Sequence, residues 1–526
     1  MLADLLAKQS TLHHVLTISF LLLIFCVFLR YRSARCRLAN PNGLPYPPGP
    51  KGLPIVGNLF DLARSNDTNI YESLAKEYGE LVFLSAFGKS VLVLNSSEAA
   101  NELFDKRSAN YSDRAQSVMS NELMGWDFSF GHMRYGEQWK KHRRVFHQQF
   151  QQSVAQTYWP IQRREAHALL RRLLDSPENL DYHLRLNAAA VIMSITYGIT
   201  IALSGDRYIR LAEKALEGMG AAARPGAFLV DFVPFCNDWV PGASFKRKAK
   251  EWRVAVTGMK EAPFATVLNN MKEGRAAPSF VCNLLNDLQT KENVEDQIQT
   301  IKNCAGLTYA GMFTVSTLAS FILAIVLHPE VQSRAQEELD CVVGRDRLPD
   351  FSDRPSLPYI SAIVKEVLRW NPVAPFGLPH MSTNDDEFRG YFIPGGTIVV
   401  GNSRCILNDP LRYPEPRRFN PDRFMAEADR NSNQHLSPGD PLSVAFGYGR
   451  RFCPGRYAGE AQVWISIACI LSVFDIGHAL DDEGRPIPVV PAFTTGMICH
   501  PMPFKFSMKP RGENARLLIQ QTELCA

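Results

Sequence analysis

An uncharged, mostly hydrophobic run spans Val15 to Leu29 (VLTISFLLLIFCVFL) near the start of the chain. With Leu12, His13 and His14 the run reaches membrane-spanning length, which predicts an anchor over residues 12–29. A single Lys8 precedes it, whereas Arg30, Arg32, Arg35 and Arg37 follow. The positive-inside bias therefore makes residues 1–11 a short lumenal N-terminus and puts the bulk of the chain in the cytosol. A cleaved signal peptide is the competing reading, but it carries its charge before the apolar run and small residues after it. Residues 30–58 join this basic stop-transfer sequence to PNGLPYPPGPKGLPIVGN, Pro41 to Asn58. Its prolines and glycines predict a stiff, non-helical hinge separating anchor from body, with Leu53, Pro54, Ile55 and Val56 apolar enough to pack on the domain behind them.

Beyond the hinge, LVFLSAFGKSVLVLN (Leu81 to Asn95) carries β-branched and apolar runs around Phe87-Gly88-Lys89, a hairpin signal. Helical patterns dominate from Glu98 to Arg369, strand-like sequence returns at Gly390 to Asn402, and a last helix is predicted over Gly459 to Phe474. Alternation at Phe504, Phe506 and Met508 predicts closing strands. The expected fold is mainly α with small β-sheets, and no internal repeat or low-complexity block interrupts it.

Composition narrows the function. The chain has 526 residues, 46% hydrophobic and 21% charged, with 34 Gly and 34 Pro, which suits an ordinary globular body and excludes collagenous or broadly disordered classes. A net charge of +4 is too small for whole-chain nucleic-acid binding. The 11 cysteines are scattered and form no C-x-x-C, against a disulfide framework or a clustered zinc site and in favour of a reducing compartment. Asn66, Asn95 and Asn110 begin glycosylation acceptor sequences, but a cytosolic body never meets the lumenal enzyme.

The strongest chemical signal is AFGYGRRFCPGRYAGEAQVW around Cys453. Arg450, Arg451, Arg456 and the free N–H groups of a helix start are expected to stabilise a thiolate there. Gly447, Gly449 and Gly455 allow close backbone approach to something flat or bulky, and Pro454 stiffens the exit. A lone thiolate is poor zinc coordination and suits an axial ligand to haem iron. From these residues alone, a structural cysteine, a nucleophile and a redox thiol remain open beside haem ligation.

The run Phe446-x-x-Gly449-x-Arg451-x-Cys453-x-Gly455 resembles the haem-binding signature F-x-x-G-x-R-x-C-x-G of the cytochrome P-450 monooxygenases. The resemblance covers nearly the whole chain and implies that family's fold, a catalytic haem-thiolate domain over residues 59–526 and haem b with Cys453 as iron ligand. Glu366 and Arg369 in IVKEVLRW stand at i and i+3 on one helix face. FNPDRF, Phe419 to Phe424, resembles the family's P-E-R-F element with Asp422 for Glu, and implies that Arg423 joins Glu366 and Arg369 in a buried structural triad. Trp139 and Arg143 in WKKHR match W-x-x-x-R, which implies propionate binding; Arg451 and His380 are further propionate partners on the same ground. An indole N–H and a guanidinium suit carboxylates.

On the distal side the family's A-G-x-D/E-T-T/S is replaced by Ala310-Gly311-Met312-Phe313-Thr314-Val315-Ser316. Ala310 and Gly311 are expected to open a groove over the iron, and Thr314 to hold a proton-donating water. Phe313 cannot relay a proton, so the usual acid–alcohol pair is broken.

The resemblance implies dioxygen activation and oxygen insertion into a C–H bond. No G-x-G-x-x-G follows a predicted strand, so electrons must come from a separate protein, with NADPH–cytochrome P-450 reductase on the endoplasmic reticulum membrane the implied donor. Lys140, Lys141, His142 and Arg144 are expected to form its basic docking face, the alternative being a solvated helix face. Pocket segments are expected at Val118 to Trp126, Ala221 to Val233, Asn371 to Gly377 and Ala492 to Gly496, mostly apolar and suited to a lipophilic small molecule. The chain resembles fungal, especially basidiomycete, members that tailor secondary metabolites. This implies a terpenoid substrate first and an indole or other aromatic compound second. A haem-thiolate isomerase or lyase, needing neither O2 nor a proton relay, and a haem sensor without turnover are the other classes.

Overall fold

The structure, a computed structural model, describes Ser19 and residues 38–54, 56–64, 68–223, 227–231, 244–288, 293–310, 314–425 and 440–523. Apart from Ser19, the apolar run at 12–29 lies outside the described residues.

The hinge does less separating than its sequence predicts. Among the described residues it is non-helical from Asn40 to Asn58, but it lies on the first sheet: Phe83 donates its amide to the Pro48 carbonyl at 2.7 Å, Phe392 to Pro45 at 2.8 Å, and Asn58 to Ser85 at 2.6 Å. Tyr46 stacks on Phe83 with ring centroids 5.2 Å apart. The packing segment is thus Pro45 to Gly49 with Asn58, while Leu53 is exposed and Ile55 lies outside the described residues. Apolar character at 53–56 is a weaker force here than satisfying the edge amides of two strands.

That sheet has four strands in the order β1 (Leu81–Ala86), β2 (Lys89–Leu94), β6 (Ile398–Gly401), β3 (His380–Met381), with β1–β2 and β6–β3 antiparallel and β2–β6 parallel. The β1–β2 turn is Phe87-Gly88, both at positive φ (48° and 78°), as a two-residue hairpin requires. The strand-like stretch from Gly390 is two short strands in different sheets. β5 (Tyr391–Ile393) pairs with β4 (Asp386–Phe388), and Pro394-Gly395-Gly396 breaks the run before β6.

The helical middle packs around two large cores. The first gathers helices α2 (Trp159–Asp175), α7 (Thr314–Leu327), α8 (Pro329–Val342), α9 (Pro358–Trp370) and α10 (Arg456–Val473) with β7 (Phe474–His478) and β8 (Phe506–Pro510). α7 (TVSTLASFILAIVL) is apolar all round, which forces it to the centre. Taken with α6 (Val294–Ala310) it is long and apolar enough to cross a membrane, but 79% of its apolar window is buried in the protein, so it is a core helix. The second core holds residues 119–130, α1 (Glu137–Phe150), α4 (Arg207–Ala222), α5 (Ser244–Lys272) and α6. α3 (Leu180–Tyr197) bridges the two, with Leu184 and Ala188 in the first and Ala189 to Tyr197 in the second. A closing helix, α11 (Glu513–Gln521), follows β8 where the sequence predicts an end on strands; Ala515 and Ile519 bury its one apolar stripe.

Candidate active site

Cys453 sits where these cores meet. Phe446 packs on the first, Ala458 belongs to the second, and Tyr448 lies against the sheet core with Phe104. The loop is closed by the Cys453 amide, which donates to the Phe446 carbonyl at 2.8 Å. Gly447 and Gly449 have φ of +86° and +50°, a region that suits glycine. A Cβ on Gly449 would also lie 1.9 Å from the Phe104 carbonyl oxygen. Gly455 differs: its φ is −90°, and a Cβ there would meet nothing within 4 Å. The protein's own backbone does not demand a glycine at 455, so a demand for one must come from a group lying against the loop.

The electrostatics of the thiol correct one expectation. Burial pushes the Cys453 thiol up, and this outweighs the Gly455 amide aimed at the sulfur and the positive charges of Arg143 and Arg456, which pull it down. The protein alone does not make a thiolate here; a cation bound to the sulfur would. The other buried cysteines toward the C-terminus are engaged as donors: Cys499 to Asn371 Oδ1 at 3.2 Å and Cys469 to the Pro349 carbonyl at 3.8 Å. Burial pushes the Cys499 thiol up to about 11. No group of three or more metal-binding side chains occurs among the described residues.

Beside the loop stands a cage of cations, Arg114 and Arg451 buried and Arg143 partly buried. Arg451 donates to the carbonyls of Ser112 (2.7 Å), Phe130 (3.2 Å) and Met133 (2.8 Å), and its guanidinium lies 4.5 Å over the Trp139 ring. Arg114, which no sequence motif marks, is buried and donates to Gly131 (3.1 Å), Pro379 (2.8 Å) and Leu378. Arg143 makes no hydrogen bond among the described residues, and burial followed by Arg456 pulls its pKa down, against the Cys453 sulfur. Burial lowers Arg451 to about 10, and burial followed by the charge of Arg451 lowers Arg114. Against Arg114, Arg143 and Arg451 the buried carboxylate is Asp113, itself 3.7 Å from Arg134. Two positive charges are left without a buried protein counter-ion among the described residues. Buried charge is stable only when paired, so the cage is built for a dicarboxylate. Haem, with two propionates, fits it.

His380 lies in the same cage but not as a ready donor. Its Nδ1 is 2.7 Å from the Tyr111 carbonyl, which can only accept, so Nδ1 carries the proton. Burial and Arg114 hold the ring neutral. Nε2 can donate to a carboxylate only once the ring is protonated.

Glu366 and Arg369 meet as their spacing predicts, both fully buried, with contacts of 2.6 and 2.8 Å. Glu366 also accepts the Asn420 amide at 2.8 Å, and Arg423 Nε approaches it at 3.6 Å. On the distal side Gly311, Met312 and Phe313 lie outside the described residues. Thr314 opens α7, and its hydroxyl has no partner among the described residues, unlike Thr308, which bonds the Ala305 carbonyl at 2.6 Å.

The basic face on α1 needs correcting. His142 is buried; Nδ1 donates to Gln138 at 2.8 Å and Nε2 accepts from Asn303 at 3.2 Å, and burial lowers its pKa. Lys140 pairs with Glu137 at 2.7 Å and Lys141 with Asp296. Arg144 remains exposed.

Comparison with known proteins agrees with this geometry. A family model described as cytochrome P-450 matches residues 47–508. Cytochrome P-450 monooxygenase 98 of Postia placenta is 41% identical over 506 residues, 95% of each chain. Cytochrome P-450 monooxygenase COX2 of Coprinopsis cinerea is 39% identical over 488 residues, 91% of this chain and 92% of that protein. A tryptamine 4-monooxygenase of Psilocybe cyanescens is 38% identical over 474 residues, 88% and 93% of the two chains.

Proposed function

Because the chain belongs to the cytochrome P-450 family, as a monooxygenase using haem with a cysteine thiolate ligand, we propose that it hydroxylates a neutral lipophilic molecule, a terpenoid first, in fungal secondary metabolism. In this reading Cys453 would hold the haem iron through its sulfur. The observation that carries it is the cage beside Cys453, where Arg114, Arg143 and Arg451 outnumber Asp113. Monooxygenases of this family use O2 and a redox-partner reductase. Here the donor is NADPH–cytochrome P-450 reductase, and residues 12–29 hold the enzyme on the endoplasmic reticulum membrane.

When bound, haem supplies two-electron activation of dioxygen and insertion of one oxygen atom into a C–H bond. Arg143 and Arg451 would hold its carboxylates, with the Trp139 ring 4.5 Å from the Arg451 guanidinium. The Gly455 amide and Arg143 hold negative charge on the Cys453 sulfur once a cation has deprotonated it. Thr314 Oγ, with no competing protein partner among the described residues, is free to hold a water and pass its proton. Phe313 has no proton to give; it shapes the pocket or marks a rerouted water path. A Phe313→Asp variant with unchanged coupling of NADPH use to product would count against that rerouting.

Two of the expected pocket segments, Val118 to Trp126 and Ala221 to Val233, pack in the second core. Among the described residues their nearest acids are Glu122, exposed, and Asp231, half-buried and already accepting from the Ser117 hydroxyl at 3.0 Å and the Met119 amide at 3.1 Å. A neutral lipophilic molecule suits such a lining better than a cationic amine. The tryptamine 4-monooxygenase relative favours an indole compound as the second reading. The relatives are monooxygenases, so the isomerase, lyase and sensor alternatives fall behind.

The test is the reduced-plus-CO difference spectrum of the full chain, followed by NADPH-dependent O2 uptake with reductase and a panel of neutral terpenes, with tryptamine alongside. A thiolate-type band lost in Cys453→Ala, with uptake coupled to a terpene product, is expected. Bound haem without that band in folded protein would withdraw the assignment.

A further inference from the structure

A buried chain of hydrogen bonds behind Thr314 is used neither by the cage nor by the ligand loop. Ser316 and Ser320 stand at i and i+4 on one face of α7. Asn371, just past the end of α9, donates Nδ2 to Ser320 Oγ at 2.9 Å. Its Oδ1 accepts the Cys499 thiol at 3.2 Å. Ser316 Oγ donates to the Cys499 carbonyl, and the Cys499 amide donates to the Val373 carbonyl at 2.7 Å. Ser316, Ser320, Asn371 and Cys499 are all at most 1% exposed.

Cys499 lies in a narrow hairpin. The Thr494 amide donates to the His500 carbonyl at 2.7 Å, the His500 amide to Thr494 Oγ1 at 2.9 Å, and Phe493 bridges to Pro501. Phe493 packs edge-on against Trp370 at 5.6 Å. The base is therefore fixed to α9 and α7, while Met497 at the tip packs against the second core beside the expected pocket segments.

We propose that Asn371 and Cys499 are positioning residues that set how far the 494–500 hairpin reaches over the substrate pocket, and thereby which lipophilic molecules fit. The proposal rests on the haem-thiolate reading above. This hydrogen-bonded link ties together three strips expected to line the pocket: the helix carrying Thr314, the Asn371 to Gly377 loop and the hairpin. A hydrogen-bonded link, unlike apolar packing, fixes register as well as proximity, and a buried orphan left by truncation has no water to turn to. Burial keeps the Cys499 sulfur in its protonated, donating form.

The test uses the full chain loaded with haem and two probes, imidazole and 4-phenylimidazole. Both bind iron through a ring nitrogen, but only the second extends a phenyl ring toward the pocket wall. Spectral titration should show Cys499→Ala and Asn371→Asp binding imidazole with unchanged Kd and 4-phenylimidazole with a Kd altered about tenfold, the scale of a well-placed pocket contact. Cys499→Ser, which keeps a donor, should recover much of that change. The reduced CO spectrum should stay thiolate-type in all three. Equal effects on both probes, or none on either in Cys499→Ala, would overturn the proposal. A wild-type chain lacking the thiolate-type spectrum fails earlier, at the haem reading itself.

Discussion

Gly449 and Phe104 approach so closely that a single methyl group on Gly449 would stand 1.9 Å from the Phe104 carbonyl oxygen. Residue 449 also sits at φ +50°, so any side chain there meets a clash and a strained backbone together. Gly449→Ala should destabilise the loop by roughly 2–5 kcal/mol, adding strain to overpacking. Thermal unfolding of the haem-free chain checks it, with Gly455→Ala as the contrast. That change should leave haem-free stability alone and lower haem content, because the space at 455 is open.

Glu366 and Arg369 form an ion pair with no solvent on either partner. Glu366→Ala leaves a buried guanidinium without its counter-ion and an Asn420 amide without its acceptor, a loss of about 3–5 kcal/mol. Arg423→Ala should cost less, since Arg423 is the more distant and less buried partner. Denaturant midpoints of the three proteins should rank in that order. Equal midpoints for Glu366→Ala and wild type would show that the pair does not hold this core.

Acid stability should depend on His167. Burial, reinforced by Arg163 and Arg171, lowers its pKa from 6.5 to about 4. The unfolded chain therefore takes up a proton as pH falls through 6.5, whereas the folded chain resists until about 4. Between these values the unfolded state binds more protons, so stability declines with falling pH; above 6.5 the contribution is fully present. His132, also lowered to about 4 by burial, acts in the same window. In His167→Gln the fall of melting temperature between pH 6.5 and 4 should be shallower, though not abolished.

Thr314→Val should separate NADPH consumption from product. Losing a positioned proton carrier typically costs about 10²–10⁴ in rate. Product per NADPH should fall while the haem spectrum and haem content remain those of wild type. Coupling equal to wild type would remove Thr314 from the proton path.

The Cys453 loop is legible in the sequence because its signature is local: five informative residues fall within ten, and two of its glycines are required by backbone geometry. The Glu366–Arg369 pair is legible for the same reason, as an i, i+3 spacing. Arg114 is not. Its donors and those of Arg451 end on backbone carbonyls, and Arg451 is 339 positions from Ser112, so no side-chain pattern marks the contact. His142 is an intermediate case. WKKHRR reads as a charged face, yet Trp139, His142, Phe146 and Phe150 repeat at helical spacing and form the buried stripe of α1. The charges hide a periodicity that is present beneath them. The Asn371–Cys499 link spans 128 positions and joins residue types too ordinary to draw notice.

The bonds of Pro45, Pro48 and Asn58 to strands β1 and β5 have a mechanical consequence. A pull or twist that reaches residue 45 is delivered straight to the sheet. From β1 the load path crosses β2 and β6 to β3, where His380 stands among the buried arginines. Pro45 to Gly49 therefore behave as a mast and not as a rope: a load that reaches them turns the whole sheet.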